Sequence, residues 1–77
     1  MSTTTRTTIF SSPDGAETFK ELLRLESLYL ATIRRKLGIS LFYSCGVHNV
    51  YSITAYSEEG QDEELEWLRA NVKESQK

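Results

Sequence analysis

One stretch, Ala16 to Leu37, carries a sustained helical period of apolar residues, and the rest of the chain has to fold around it. At about 100° per residue, Phe19, Leu22, Leu23, Tyr29, Leu30, Ile33 and Leu37 fall within an arc of about 120°, the width of a stripe that a helix buries. That arc is the predicted core. Glu26 sits near its middle, and Leu28 lies almost opposite. The wheel therefore puts one carboxylate on the dry face and one large aliphatic on the wet one.

The helix is predicted to start between Pro13 and Ala16. Ser12 can serve as N-cap with Pro13 in the first turn, or Asp14 can cap with Glu17 three residues on. It is predicted to end at Gly38, which can take the left-handed conformation, just after Arg34-Arg35-Lys36, three cations suited to the negative end of the helix dipole.

Beyond Gly38 the period changes from helical to alternating. Ile39, Leu41, Tyr43 and Cys45 point one way, with Ser40, Phe42 and Ser44 the other. Gly46, Val47, His48 and Asn49 form a turn, and Val50 to Ser57 alternates again, so the segment reads as a β-hairpin. Pairing Cys45 with Val50 would set Leu41 opposite Thr54 and Phe42 opposite Ile53. Neither face of such a hairpin is polar, so something must cover the second one.

Ser57 to Glu66 holds six carboxylates in ten positions. Acidic residues suit the first turn of a helix, and Leu65, Leu68 and Val72 supply the buried stripe of a second, shorter helix. Trp67 falls about 100° from that stripe, on its flank. At the N-terminus, residues 1–8 are Thr-rich and read as a short strand or a tail, with Thr4 to Phe10 favouring extended backbone; 74–77 should fray. The predicted fold is a small α+β domain spanning 1–77, in the order β-α-β-β-α, with a small antiparallel sheet packed on one long and one short helix. A crossover through the long helix would lay the first strand parallel beside the hairpin. In element order alone this resembles a ferredoxin-like fold lacking its last strand; no motif carries the likeness.

A chain of 77 residues is marginal as a domain, since one so short buries only about 60% of the surface its unfolded form exposes. Disulfides, a structural metal or oligomerisation are the usual remedies. Cys45 is the sole cysteine and His48 the sole histidine, so neither an intrachain disulfide nor a closed four-ligand site is available. Self-association is left.

Net charge is −2, from 9 Lys+Arg against 11 Asp+Glu, which provides no global field for a polyanion or an anionic membrane. No run approaches the roughly 18 apolar residues of a membrane span, and the start has no apolar segment of a secretory signal. With the unpaired cysteine, these features predict a cytoplasmic protein that does not associate with membranes.

Four constellations bear on chemistry. Cys45 and His48, three apart in a turn, could contribute to a metal site or a nucleophile–base pair, but both need further groups that no stretch announces. Glu26 on an apolar stripe suits a general acid or, more simply, a buried carboxylate paired with a tyrosine or an arginine. Tyr29, Tyr43, Tyr51, Tyr56 and Trp67 could stack on single-stranded nucleic acid, yet Tyr43 to Tyr56 contains no Lys or Arg. The acidic run could dock on a basic surface. No Gly-rich phosphate loop, paired-histidine motif or serine nucleophile elbow is present, so no cofactor is expected.

These features point to a non-enzymatic protein-interaction module, a homodimeric regulator or inhibitor. Its contacts would be made by Leu28, Phe42, Tyr51 and Trp67 with the carboxylates Glu58, Glu59, Asp62 and Glu63. Small size and charge segregation also suit proteins carried by phages and mobile elements. The alternatives are a nucleic-acid binder using Arg24, Arg34, Arg35 and Lys36, and a small enzyme or metal protein using Cys45, His48 and Glu26.

Overall fold

In the computed structural model, which describes residues 3–73, the order is β1 (Thr5–Ser12), α1 (Gly15–Ile33), β2 (Ser40–Cys45), a single 3₁₀ turn (Val47–Asn49), β3 (Tyr51–Ser57) and α2 (Asp62–Asn71). This is the predicted β-α-β-β-α fold. The fray predicted at 74–77 lies outside the described residues. The Thr-rich start is an ordered strand from Thr5 onward, as its β-branched side chains favour.

The sheet has three strands in the order β1-β3-β2, with both neighbours antiparallel to β3. So β1 runs parallel to β2 but never touches it; β3 fills the gap, as in a split β-α-β unit. Both helices pack on one face of this sheet. Leu25 of α1, Leu68 of α2, Ala55 of β3 and Ile39 form one buried cluster, and Phe10, Leu22 and Ile53 form a second beside it. A bulge between Thr8 and Phe10 lets both Ile9 and Phe10 reach these clusters. Leu65 and Val72 pack on the core beside Leu68, which is the predicted stripe of the second helix.

Cys45 pairs with Tyr51, not Val50, and this one-residue slip turns every β3 side chain over relative to expectation. The turn is longer than predicted because Val50 stays in it, and His48 and Asn49 both adopt positive φ. Leu41, Tyr43, Tyr51, Ile53 and Ala55 therefore share the helix-facing side. The outer side carries Thr8, Ser11, Ser40, Ser44, Ser52 and Thr54 around one edge-to-face pair, Phe42 with Tyr56 at 5.0 Å. A hydroxyl-rich face needs no cover, so the inference of an apolar second sheet face is corrected.

Asp14 caps α1, its carboxylate accepting from the Ala16 and Glu17 amides at 2.9 and 3.3 Å. Ser12 completes the start: its Oγ accepts from the Asp14 amide and donates to Glu17. The helix stops at Ile33, five residues before Gly38. Arg34 takes the left-handed conformation (φ 67°, ψ 29°), and its amide donates to Leu30. Stopping there lets Ile39 enter the core at 3% exposure, while the Gly38 and Ile39 amides donate to Glu64 of α2 at 2.6 and 3.2 Å. The approach is close: a Cβ at Gly38 would sit 3.0 Å from the Glu64 carboxylate, which would have to give by a few tenths of an ångström.

Candidate protein-interaction surface

The buried side of α1 is Thr18, Glu21, Leu22, Leu25 and Tyr29. Its centre is rotated by roughly 90° from the predicted stripe, taking 100° per residue. Most of the predicted stripe is outside: Phe19 is 47% exposed, Leu23 47%, Leu30 53% and Ile33 38%. Glu26, expected to be buried, is exposed among them. Leu28, expected on the wet side, is half-buried on the opposite flank.

The reason lies in hydrogen bonding. Thr18 and Glu21 look wrong for a core by hydropathy, yet each is fully partnered there. The Thr18 hydroxyl donates to the Asp14 carbonyl at 3.0 Å. Glu21, 3% exposed, accepts a two-pronged contact from Arg24 at 2.8 and 2.6 Å and a third bond from the Lys73 amide at 2.8 Å. Arg24 also donates to the Asn71 carbonyl at 2.6 Å, tying α1 to the end of α2. Burial pushes the Glu21 carboxyl up, but the Arg24 and Lys73 bonds with their charges outweigh it, so its pKa lies below the ordinary value. The bond to Glu21 raises Arg24 in turn.

The exposed stripe lies on the side of α1 away from this α2 junction and continues onto β2. Phe19 meets Tyr43 edge to face at 5.7 Å, and Tyr43 stacks on Tyr51 at 5.8 Å. The Tyr43 hydroxyl donates to the Gly15 carbonyl at 3.0 Å. Desolvation and the neighbouring Tyr51 hold its pKa up. No family model, curated protein or solved structure matched the chain. The surface has to be read from its own chemistry.

Of the contact residues expected from sequence, Phe42 is exposed, at 54%, on the outer sheet side. Tyr51 is half-buried on the helix-facing side, because the register slip separates it from Phe42. Trp67 is half-buried against the core and meets Tyr29 edge to face at 5.0 Å, so it is a packing residue. Glu58, Glu59, Asp62 and Glu63 are exposed, and the first three line an open cleft of about 420 Å³ with Thr3, Thr5, Ser57 and Leu65. Glu64 leaves the acidic run to hold the α1–β2 connection.

The groups of the alternative readings are not assembled. Cys45 and His48 are both exposed at the hairpin end, and Glu26 lies on α1. Among the described residues, no three or more His, Cys, Asp or Glu side chains are grouped to hold a metal ion. Arg24 is engaged at the α2 junction, apart from the exposed Arg34, Arg35 and Lys36. Among the described residues, no helix is long and apolar enough to cross a membrane.

Sequence reasoning missed Phe19, Leu23, Leu30 and Ile33 as surface residues. A signal for them was present. Their separations of four, seven and three residues, with Glu26 dividing the seven into three and four, keep to the narrow a/d seam of a helix pair, whereas a core-facing helix carries a wider stripe.

Proposed function

We propose that this chain is a small non-enzymatic protein-interaction module, a cytoplasmic regulator or inhibitor of the kind carried by phages and mobile elements. The observation that carries this reading is the apolar flank of α1, from Phe19 to Ile33, left in solvent beside Tyr43. Four large side chains, 38% to 53% exposed, amount to roughly 300 Å² of apolar surface around Glu26, the size of the largest patch on a typical monomer, which is often a functional one. The aromatic and aliphatic content is that of an interface centre, and the exposed Arg34, Arg35 and Lys36 follow at the end of the helix.

The test is cross-linking in cells that express the chain, from a photoreactive side chain replacing Leu23 and, separately, one replacing Thr8 on the hydroxyl face. Discrete protein adducts from position 23, absent from position 8, are expected. No protein adduct from position 23 would remove the reading.

A further inference from the structure

The two helices are held to the sheet unequally. Thr18, Glu21, Leu22, Leu25 and Tyr29 of α1 are buried, but on α2 only Leu68 is. We propose that α2 opens from the sheet as a unit about Gly60 while β1, β2, β3 and α1 keep their packing, and that Glu64 at its start and Glu21 beneath its end clamp it shut. This is independent of the interaction reading above.

Three observations carry it. The first is that α2 has little stability of its own. It spans ten residues, Asp62–Asn71, and its N-cap Gln61 gives no side-chain bond to the first turn, because that side chain is spent on the Glu58 amide and the Gly38 carbonyl. Helices shorter than about 12–15 residues are marginal in water, so this one depends on being docked.

The second is where its polar ties lie. Among the described residues, every hydrogen bond from this segment to α1 or to the α1–β2 connection is made at one of its two ends. At the start, Glu64 accepts from the Gly38 and Ile39 amides at 2.6 and 3.2 Å, and Gln61 donates to the Gly38 carbonyl at 3.2 Å. At the other end, Arg24 donates to the Asn71 carbonyl at 2.6 Å, and Glu21 accepts from the Lys73 amide at 2.8 Å. Between them the contact is apolar, through Leu65, Trp67 and Leu68.

The third is what stays behind. The cluster of Phe10, Leu22 and Ile53 draws on β1, α1 and β3, and from the α2 segment only Val72 packs on it. Both ladders of the sheet and the Asp14 cap of α1 are likewise made without α2. A hinge is also present: Gly60, just before the helix, has φ 92°, with nothing within 4 Å of where a Cβ would stand. Opening there would uncover part of the cluster formed by Leu25, Ile39 and Ala55, each now at most 3% exposed.

Native-state hydrogen exchange of the full chain, followed by NMR through low urea concentrations, tests this. The amides from Glu66 to Val72 should share one protection level, at least about 10-fold below that of the β3 amides, with a shallower urea dependence because opening exposes less surface than unfolding. Phe42→Ala gives the sharper reading. Phe42 pairs with Tyr56 on the sheet face away from the helices, and that pair survives in the opened form, so its loss should lower β3 protection by about 5-fold and leave α2 protection unchanged. Glu64→Ala, which removes two bonds to a charged acceptor, should lower α2 protection by about 10-fold, and Glu21→Gln by about 3-fold. One protection level for α2 and β3, or a fall of α2 together with β3 in Phe42→Ala, means a single cooperative unit and overturns the proposal. Protection of α2 unchanged by both carboxylate variants overturns the assignment of the clamps.

Discussion

The two flanks of α1 differ in a way that hydropathy would rank backwards. The buried flank holds a threonine and a glutamate among Leu22, Leu25 and Tyr29, while the exposed flank holds two leucines, an isoleucine and a phenylalanine around one glutamate. Burial went to the flank whose polar groups could all be partnered, since a buried carboxylate is tolerated only with bonds such as those Glu21 receives from Arg24 and Lys73. The more apolar flank was left in solvent. Apolar content says that a face wants to be dry; it does not say whose surface will dry it.

Breaking the comparison should have its largest effect at Leu25, fully buried between Ile39, Ala55 and Leu68. Leu25→Ala is expected to cost about 3 kcal/mol, through lost burial and the cavity left behind. Leu23→Ala, two residues away and half exposed, should change stability by no more than about 0.5 kcal/mol in dilute solution. Urea unfolding of both variants at the same low chain concentration makes the measurement. Equal losses would return Leu23 to the core.

The carboxylates sharpen the same contrast. Glu21→Gln should cost about 2 kcal/mol, because it weakens the two-pronged contact that Arg24 makes to a carboxylate only 3% exposed. Glu26→Gln removes only an exposed charge and should cost almost nothing. The sign of the pH effect follows from the direction of the Glu21 shift. With its folded value held below the ordinary 4.5, Glu21 contributes its full stabilisation above that pH and loses it as pH falls through the depressed value. Thermal melts from neutral pH downward should show a steeper acid loss in the wild type than in Glu21→Gln. Parallel curves would mean that Glu21 is not held ionised by its partners.

Element order and fold class were legible because each rests on local signals: the Asp14 cap, the alternation after Ser40, and the carboxylates opening α2. Which face of α1 and of β3 is dry was not, because that depends on partners far along the chain. Glu21 is made acceptable by Lys73, which no window around α1 contains. The hairpin register turned on His48 and Asn49 adopting positive φ, which lengthened the turn by one residue and exchanged Ile53 for Thr54 on the inner face. The exposure of the outer flank could have been read from the 4-3-4-3 spacing, had the stripe not been assigned to the core first.

The smallest expected effect concerns where α1 stops, because that decides how far the outer flank extends. Leu37 continues the outer spacing by four more residues, yet it is half-buried against the core because the chain turns at Arg34. Left-handed backbone costs a non-glycine residue about 1 kcal/mol. Arg34→Gly removes that cost but adds freedom to the unfolded chain, so the net gain should be about 0.5 kcal/mol. Gly38→Ala should act in the opposite direction, by about 1 kcal/mol, since its Cβ presses on the carboxylate holding the connection to α2. If Gly38→Ala instead stabilises the chain and Arg34→Gly weakens it, in matched urea curves, the helix runs on toward Leu37. The outer flank would then gain a further apolar position at the expense of the core around Ile39, and the division between the two flanks would move with it.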